Sequence, residues 1–546
     1  MRIAAPLNND VKPRLQWIEV ASFVQLPTIQ IIGLPAQEVS EAKERIRAAI
    51  HASGLEIPKR RIIVNLSPAS VIKRGTGIDL AMAVAILSSS MDNNGETIRA
   101  NARNPARPPQ KSLAAWGELG LDGAVKPVSQ IVRAVYAAWD ASLDYLMVAS
   151  DEFAKTKEAL ALLCAGNILK NPAPAIIPVS SLAEAWKFLN CTDKSYTIDS
   201  GIDPSMLKTA EKPKKPINDF HDLLPLPALL ERSISLSIVG SHHLLLLGPK
   251  GAGKSHAIEW LITLQPPFSH KIQIERAILS ELRLENCNLQ LPVRKISPYV
   301  RPSALIGKAS PQSIYPGEFS LAHGGLLVAD ELLEWHRDSR EAMREPLERY
   351  TVTVTRASGS LEFPAQFVLA ASGNLCPCGG WPPNFIENKK NRRETGPVCK
   401  CSVQERHRYL GRLSSAILDR IDLVCFATSA AHTIDRNTRQ TSNIIDDLRN
   451  KVFSARERAI KSWGAPPGLL SSAEIELLIK EHPGWSEHLN SSADTIGELS
   501  LRGRHKIARM ALSLAAINGQ TNPSAAEFAE ATYYRHERLG HTSSAS

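Results

Sequence analysis

The sequence predicts two consecutive α/β domains followed by a helical region, and three observations support this. From Thr28 to about Leu189, short apolar and β-branched runs alternate with amphipathic helical patterns. A glycine-rich turn between an apolar strand and a helix lies in a second α/β region, from about Asn218 to Ala427. From about Ile444 to Leu539 the pattern is mostly helical, with amphipathic helices expected at "HKIARMALSLAAING" and "SAAEFAEATYYRHERL".

The composition is that of a globular protein with several domains. The chain has 546 residues, too many for one hydrophobic core, and 43% of them are hydrophobic and 22% charged. No run approaches the roughly 18 apolar residues that span a bilayer, and the N-terminal stretch lacks the apolar core of a signal peptide. We expect a cytoplasmic protein without a membrane partner. The net charge of +9 favours a polyanionic partner, although such an excess is as often related only to solubility.

The first α/β domain is predicted over residues 1–191. Strands are predicted at "TIQIIGL", "RRIIVNLSP", "DYLMVAS" and "AIIPVS", and a buried helix at "DLAMAVAILSS". The stretch "EVSEAKERIRAAIHASG" predicts a helix that ends at Gly54. One face of this helix carries Val39, Ala42, Ile46, Ala49 and Ile50. Residues 192–217 lose the apolar periodicity and gain Lys and Pro, so they are predicted to form a linker.

A phosphate-binding loop is predicted at "LLLLGPKGAGKS". The motif G-x-x-x-x-G-K-[ST] lies between a strand at Leu244–Leu247 and a helix that begins near Lys254, which is the context it requires. Its glycines let backbone N–H groups surround phosphates, Lys254 neutralises the β- and γ-phosphate charge, and Ser255 ligates Mg²⁺. The predicted ATP-binding residues are Gly248, Pro249, Lys250, Gly251, Ala252, Gly253, Lys254 and Ser255.

Acidic and amide side chains follow two further predicted strands. In "GGLLVADELLEW" an apolar run ends in Asp330 and Glu331, at the strand edge where α/β proteins bind ligands. Asp330 is expected to hold Mg²⁺ through water, and Glu331 to polarise the water that attacks the γ-phosphate. The strand "FVLAASGN" ends in Asn374, which is expected to orient that water or, alternatively, to cap the next turn.

Four cysteines occur as two close pairs within an insert at residues 376–401. Cys376 and Cys378 form one C-x-C pair, and Cys399 and Cys401 form the other. Four thiolates in two pairs suit a tetrahedral, structural Zn²⁺ site, although C-x-x-C spacing is commoner; the alternative is four reduced, unliganded thiols. The stretch between the pairs also contains a basic run, interpreted either as DNA contacts or as a solvated face. This run consists of Lys389, Lys390, Arg392 and Arg393.

The order of phosphate loop, Asp-Glu pair, strand-end Asn and helical region resembles the AAA+ ATPases, which implies an ATPase core at residues 218–428 and a helical lid at 429–546. "SSAILDRIDLVCF" is similar to the LDR-[FI]-D-L pattern of the chelatase and minichromosome-maintenance branch, which makes Arg420 an arginine finger directed at a neighbouring subunit's ATP. "ELSLRGRHKIARMA" is similar to that branch's sensor 2, which places Arg502 on the γ-phosphate. For each arginine the alternative is a surface ion pair. A finger that acts in trans implies a homo-oligomeric ring.

Between Arg301 and Leu423 the chain resembles the bacterial ComM/YifB family of magnesium-chelatase-like ATPases. The resemblance rests on "PGEFSLAHGGLLVADELLEW", "REPLERYTVTVTRASGSLEFPAQFVLAASGNLCPCG" and "CKCSVQERHRYLGRLSSAILDRIDL". The alternation in "TVTVTRASGSLEFP", broken by Ala-Ser-Gly, predicts a hairpin. In related ring translocases such a hairpin projects into the pore and touches DNA, which makes Arg356 a candidate DNA contact; the alternative is a solvated turn arginine.

The first domain supports the same family. The stretches "GLPAQEVSEAKERIRAAIHASGLEIPKRRIIVNLSPASVIKRGTGIDLAMAVAIL" and "GELGLDGAVKPVSQIVRAV" are similar to the ChlI-type domain, which shares the Lon-protease fold, also called ribosomal S5 domain 2-like. Gly77 stands where Lon has its nucleophilic serine, and Val132 stands where Lon has its lysine. Because glycine has no hydroxyl group, a Ser-Lys dyad cannot form, and we expect this domain to have no protease activity.

The phosphate loop departs from the family's usual pattern at one position. The family usually reads G-P-P-G-[SA]-G-K-[ST], whereas this chain reads "GPKGAGKS", so that Lys250 replaces the second proline. That position faces outward in the motif, and we therefore expect catalysis to survive. The segment before the loop also lacks the G-Q dipeptide that is expected there.

The family implies an ATP-driven ring, expected to be a hexamer, that translocates on single-stranded or branched DNA. Its expected role is branch migration in natural transformation and recombination, and the first domain could bind a recombination protein. The alternative is a remodeller of protein partners, as magnesium chelatase subunits and MoxR-type chaperones are, because the phosphate chemistry is the same in both. An inert ATP-binding adaptor is disfavoured, since every catalytic position is filled.

Overall fold

The structure is a computed structural model that forms two compact units. The first contains the described residues of 1–213 and 269–289, and the second contains those of 214–268, 290–309 and 314–546. No helix among the described residues combines the length and the hydropathy that a membrane span requires. The structure describes residues 2–7, 12–69, 73, 75–89, 112–166, 171–190, 223, 225–266, 269–283, 292–309, 314–356, 359–381, 385–388, 391–394, 399–427, 441–496 and 499–535.

A mixed sheet of seven strands organises the first unit. The strands of this unit are β1 (Arg2–Leu7), β2 (Arg14–Phe23), β3 (Thr28–Ile32), β4 (Arg61–Ser67), β5 (Ser112–Trp116), β6 (Glu118–Leu119), β7 (Val125–Lys126), β8 (Tyr145–Ala149) and β9 (Ala175–Val179). The sheet order is β3-β4-β2-β1-β5-β8-β9, and β6 pairs separately with β7. Strand β2 is antiparallel to both of its neighbours, and the remaining pairs are parallel. Strands β3, β4, β8 and β9 confirm the four predicted strands.

Helices pack on both faces of this sheet. They are α1 (Gln37–Ala52), α2 (Asp79–Ser88), α3 (Ile131–Asp140), α4 (Phe153–Gly166) and α5 (Leu182–Asn190). Helices α1, α2 and α5 share one hydrophobic core with the sheet, and α3 and α4 contribute to a second core formed by the alternate strand residues. The buried residues of α1 are the five on its predicted apolar face, and α2 is buried from Asp79 to Leu87, so both helix predictions are confirmed.

An all-parallel sheet of five strands organises the second unit. The strands of this unit are β10 (Leu244–Leu247), β11 (Val293–Ile296), β12 (Gly307–Ala309), β13 (Ile314–Pro316), β14 (Leu326–Ala329), β15 (Thr351–Arg356), β16 (Gly359–Pro364), β17 (Val368–Gly373), β18 (Phe385–Asn388), β19 (Asn391–Glu394) and β20 (Leu423–Phe426). The sheet order is β11-β14-β17-β10-β20. The other six strands form the antiparallel ribbons β12-β13, β15-β16 and β18-β19, and β15-β16 is the predicted hairpin.

Helices cover the second sheet and form the C-terminal region. The helices after α5 are α6 (Ala228–Gly240), α7 (Lys254–Thr263), α8 (His270–Arg283), α9 (Pro302–Ile306), α10 (Glu318–Leu321), α11 (Arg337–Glu341), α12 (Arg344–Arg349), α13 (Val403–Leu410), α14 (Ser415–Leu418), α15 (Thr441–Trp463), α16 (Ser472–Glu481), α17 (Gly484–Ile496), α18 (Leu501–Ile517) and α19 (Ala525–Tyr533). Helices α15–α19 confirm the helical C-terminal region. Helix α18 differs from the amphipathic helix expected there, because α6, α15 and α19 pack around it and bury most of its residues.

A buried ion pair connects the C-terminal helices to the sheet of the second unit. Lys506 Nζ on α18 donates to Asp422 Oδ1 at 2.7 Å, and the backbone N–H of His243 donates to Asp422 Oδ2 at 3.0 Å. Burial raises the pKa of Asp422, but the Lys506 ammonium and the His242 side chain outweigh it and hold that pKa well below its usual range. Removal of either partner of such a pair leaves an uncompensated buried charge. The contact therefore holds α18 in one position beside the start of β20.

The position of α8 was not expected from the sequence. The sequence predicts an ATPase core over residues 218–428; within that range, α8 belongs to the first unit and packs there against α3 and α4. Ile274, Ala277 and Ile278 join the second core of that unit, and their burial is the physical reason for the difference. The predicted linker at residues 192–217 lies outside the described residues.

Glu281 fixes α8 to the first turn of α3. Its two carboxylate oxygens accept the backbone N–H groups of Val132 and Arg133, at 2.7 and 3.1 Å. These N–H groups have no partner inside the helix because they belong to its first turn. Burial raises the pKa of Glu281 to about 7, although the two N–H groups act in the opposite direction.

Replacing Glu281 by Ala is therefore expected to loosen the start of α3. The loss of a buried acceptor costs about 1–3 kcal/mol, so the amides of Val132 and Arg133 should exchange with solvent faster. Hydrogen–deuterium exchange of the full chain, resolved to the peptides that cover α3 and α8, measures this. Glu158→Ala, an exposed position on α4, is the control. Unchanged exchange in α3 of Glu281→Ala would show that α8 is not held there by this carboxylate.

Candidate nucleotide-binding site and cysteine cluster

The predicted catalytic residues follow three adjacent parallel strands. In the register of the sheet, Leu247 of β10 lies beside Gly373 of β17, and Ala329 of β14 lies beside Ala371. Gly248, Asp330 and Asn374 therefore leave the sheet at the same edge, where ligands of open α/β sheets bind. The structure brings the phosphate loop, the acidic pair and the strand-end amide together as the sequence predicted.

Two glycines shape the phosphate loop. A Cβ atom on Gly248 would lie 2.2 Å from the carbonyl oxygen of Ala427, so that only glycine fits where the loop passes the end of β20. Gly253 precedes α7 with a φ of 79°, a left-handed conformation that favours glycine. Helix α7 begins at Lys254, so its unpaired N–H groups point toward the loop. Ser255 on its first turn is exposed and available to a ligand.

Lys254 lies inside the loop. Its Nζ donates to the carbonyl oxygens of Gly248 and Pro249, both at 2.8 Å, and to Asn374 Oδ1 at 3.2 Å. Burial lowers the pKa of Lys254, while the nearby carboxylates of Asp330 and Glu331 act to raise it. The ammonium group therefore has acceptors on the protein that a phosphate oxygen can replace.

The acidic pair is held by a serine that the sequence reasoning missed. The hydroxyl of Ser372 donates to Asp330 Oδ1 and accepts the backbone N–H of Glu331, the latter at 3.1 Å. Asp330 and Glu331 are both exposed, and Glu331 has a left-handed φ of 49°. Trp335 Nε1 donates to the carbonyl oxygen of Asp330 at 3.2 Å and fixes the same turn. Ser372 lies two residues before Asn374, which is the only signal that could have indicated it.

Arg420 and Arg502 meet at one carboxylate, that of Glu348. Arg420 Nη2 donates to Glu348 Oε2, and Arg502 Nη2 donates to Glu348 Oε1. Arg420 also donates to the carbonyl oxygen of Ala416 at 2.6 Å and has only 15% of its side chain exposed, against 55% for Arg502. Both arginines thus form an ion pair with Glu348, and the two side chains lie together. Glu348 was not indicated by the sequence.

The candidate DNA contacts are only partly described. Arg356 is the last residue of β15 and pairs with Gly359 at the tip of the predicted hairpin. Its side chain lies outside the part of the chain that the structure describes. Arg392 and Arg393 lie on β19, paired with Glu387 and Ile386, so part of the insert forms a ribbon. Lys389 and Lys390 lie outside the described residues.

The four cysteines form one cluster whose size fits a metal ion. The Sγ atoms of Cys376, Cys378, Cys399 and Cys401 all lie within 4.8 Å of one another. Three of the Sγ–Sγ distances are 3.4, 3.6 and 3.7 Å. A tetrahedral Zn²⁺ site with bonds of about 2.3 Å has edges of about 3.8 Å, whereas a disulfide requires about 2.0 Å. The described thiols are therefore spaced as ligands.

The pKa values of Cys376 and Cys378 are shifted in opposite directions. Burial, together with hydrogen bonding to Cys378, raises the pKa of Cys376 to about 12. For Cys378, slight burial acts to raise the pKa, but the N–H of Gly380 and the neighbouring thiols lower it to about 6. A capping box between Ser402 and Glu405 starts α13 directly after Cys401 and fixes that end of the cluster.

In the first unit, Trp116 occupies the space beside Gly77. A Cβ atom on Gly77 would lie 2.7 Å from the indole ring of Trp116, which is itself buried. A serine could not be placed there without a shift of that ring. The first turn of α3 contains Val132, whose N–H is occupied by Glu281. Gly77 thus leaves room for the Trp116 ring, and the side chain of Val132 is partly buried against the second core of the first unit.

The fold and the site together define a P-loop protein of the AAA+ class, and comparison with known families agrees. Residues 227–434 match the model "Magnesium chelatase, subunit ChlI", residues 18–152 match "Subunit ChlI of Mg-chelatase", and residues 443–535 match "Magnesium chelatase, subunit ChlI C-terminal".

Several curated relatives align with nearly the whole chain. Competence protein ComM of Haemophilus influenzae is 28% identical, and the alignment covers 96% of this chain and 95% of that protein. An uncharacterized protein of Mycobacterium tuberculosis is 30% identical, covering 93% of each, and the uncharacterized protein YifB of Escherichia coli is 29% identical, covering 95% and 93%. The chain belongs to the ComM/YifB family of magnesium-chelatase-like AAA+ ATPases.

Proposed function

We propose that this protein is a ring-forming, ATP-driven DNA motor that promotes branch migration in natural transformation and recombination. The observation that carries the proposal is the position of Glu348, which pairs with both candidate phosphate-sensing arginines and precedes the candidate DNA hairpin. The net charge of +9 and the likeness to a protein named for competence support it. The proposed assembly is a homo-oligomeric ring, expected to be a hexamer, on single-stranded or branched DNA.

The proposed chemistry is hydrolysis of Mg·ATP. Lys254 would exchange its carbonyl partners for β- and γ-phosphate oxygens, and Ser255 and Asp330 would hold Mg²⁺. Glu331 would orient and polarise the attacking water, with Asn374 beside it. Mg²⁺ would neutralise developing charge on the phosphates when bound. Arg420 of a neighbouring subunit, together with Arg502, would stabilise the charge on the γ-phosphate.

Glu348 offers a physical link between nucleotide and DNA. It lies on α12, and β15 begins three residues later at Thr351. Glu345 on the same helix accepts the hydroxyl of Thr353 in β15 at 2.8 Å, so that helix and hairpin are joined by side chains as well. When a neighbouring subunit's γ-phosphate attracts Arg420 and a γ-phosphate also attracts Arg502, Glu348 loses both partners and the base of the hairpin is released. After hydrolysis both arginines return to Glu348, and the ion pairs form again.

The cysteine cluster is proposed to hold a structural Zn²⁺. The spacing of the four Sγ atoms matches a tetrahedral site. Four protein ligands fill every position of such a site, so none is open to a substrate. Zinc bound by Cys376, Cys378, Cys399 and Cys401 would join the two ends of the insert. It takes no part in the phosphate chemistry proposed above.

The proposed coupling predicts that DNA stimulates ATP hydrolysis. We expect single-stranded or branched DNA to increase the rate, and the increase to weaken at higher salt because phosphate contacts release counterions. The measurement is the steady-state ATPase rate with and without each DNA at two salt concentrations. Lys254→Ala, the control, should lower the hydrolysis rate more than about 100-fold. A rate that no DNA changes would contradict the DNA motor and favour the remodeller of protein partners.

Replacing Glu348 by Gln tests the link to the hairpin. The amide has the size of the carboxylate but no charge, so both arginines are held more weakly. We expect the basal ATPase rate to persist and its stimulation by DNA to fall about tenfold, within the usual range of coupling between sites. Glu341→Gln is the matched control, since Glu341 pairs with Arg344, three residues later, at 2.5 Å. Equal stimulation in the two variants would exclude Glu348 as the link.

The metal proposal predicts one zinc per chain. Elemental analysis of the purified protein should find it, and the double variant Cys376→Ser, Cys378→Ser should lose it because two of four ligands are removed. Cys164→Ser alters a cysteine outside the cluster and should retain the metal. Protein purified without a chelator that contains no zinc would contradict the site.

A further inference from the structure

The end of β17 and the segment that follows it touch the phosphate loop at three points. The backbone N–H of Gly248 donates to the carbonyl oxygen of Gly373 at 3.2 Å, and Lys254 Nζ donates to Asn374 Oδ1 at 3.2 Å. At the other end of the segment, the backbone N–H of Lys250 donates to the carbonyl oxygen of Gly379 at 2.8 Å. The phosphate loop therefore contacts residues 373–379 at its start, at Lys250 and through the side chain of Lys254.

The third contact is made by a turn that carries two of the clustered cysteines. The N–H of Gly379 donates to the carbonyl oxygen of Cys376 at 3.1 Å, which closes a turn over Cys378. Gly379 has a φ of 75°, and a Cβ atom on it would lie 2.7 Å from the side-chain carbons of Lys250. The turn thus contacts the phosphate loop through its backbone and through the methylene groups of Lys250. Its position decides where the Gly379 carbonyl points.

The N–H at position 250 is a property of this chain. Lysine supplies this N–H, whereas a proline at the same position would have no N–H to donate. With lysine at this position, the loop gains a donor at the place where the carbonyl of Gly379 accepts it. The side chain of Lys250 is exposed, while its backbone N–H is occupied by the carbonyl oxygen of Gly379.

We propose that the cysteine cluster is a structural part of the nucleotide site, and that its metal sets nucleotide affinity through the Lys250 N–H to Gly379 carbonyl bond. This inference rests on the proposed zinc. A metal that joins Cys376 and Cys378 to Cys399 and Cys401 fixes the turn, and the fixed carbonyl of Gly379 holds the phosphate loop open for phosphate. Without the metal the turn loses its link to Cys399 and Cys401 and is held by hydrogen bonds alone, such as that from the Gly379 N–H to the Cys376 carbonyl oxygen, and the loop samples other conformations before a nucleotide binds.

The test compares nucleotide affinity with and without the metal. The full-length protein is stripped of zinc by a chelator, the chelator is removed, and binding of ADP is measured in excess Mg²⁺ by calorimetry, with zinc content measured in parallel. We expect metal removal to weaken ADP binding about tenfold, which corresponds to about 1.4 kcal/mol, and added Zn²⁺ to restore it. Lys250→Pro removes the N–H, so its affinity should be equal with and without zinc. Lys250→Ala keeps the N–H, so metal removal should still weaken its ADP binding about tenfold from this variant's own starting affinity.

Each other outcome has a distinct meaning. A natural chain that contains zinc but binds ADP equally well after its removal would overturn the inference and leave the zinc site standing. A chain that never contains zinc would overturn the zinc proposal itself. An equal loss of affinity in Lys250→Pro and the natural chain would mean that metal removal acts through unfolding, not through this bond. Loss of the zinc response in Lys250→Ala would assign the effect to the side chain and contradict the backbone contact.

Discussion

The parallel register of β10, β14 and β17 is the constraint on which the site depends. Because the three strands run in one direction side by side, their carboxyl ends meet at one edge, and a slip by one residue would turn each following side chain to the opposite face. Gly248, Asp330 and Asn374 are each the first residue after their strand. Their mutual distances are thus fixed by backbone hydrogen bonds inside the sheet, and not by the exposed loops that carry them.

This constraint explains how much of the site the sequence could predict. A buried strand followed by a polar residue is a local pattern, and parallel topology converts several such patterns into one site without further information. The apolar face of α1 and the hairpin β15-β16 were predictable for the same reason, since their periodicities are contained in short stretches. Within the described residues, the elements that follow from local spacing lie where the sequence indicated.

The features that the sequence did not indicate are contacts between distant residues. Glu281 and Val132 are 149 positions apart, Arg502 and Glu348 are 154 apart, and Ser372 holds Glu331 from 41 positions away. In each case a polar side chain pairs with an N–H group or a charge on another element, where that group has no partner within its own element. Sequence periodicity does not indicate such a partner. The place of α8 in the first unit is the largest of these differences, because three apolar residues and one carboxylate decide it together.

The lysine in the phosphate loop shows that such a loop can be held by a hydrogen bond as well as by the ring of a proline. Proline restricts a loop by fixing φ, which lowers the conformational freedom that must be lost when phosphate binds. Lys250 does not fix φ in this way, so the backbone of a loop that also contains three glycines has more conformational freedom. The hydrogen bond from Lys250 to Gly379 opposes this freedom, but only as far as Gly379 is itself held in place. Since Gly379 directly follows Cys378, the order of the phosphate loop in this chain depends on the order of the cysteine cluster.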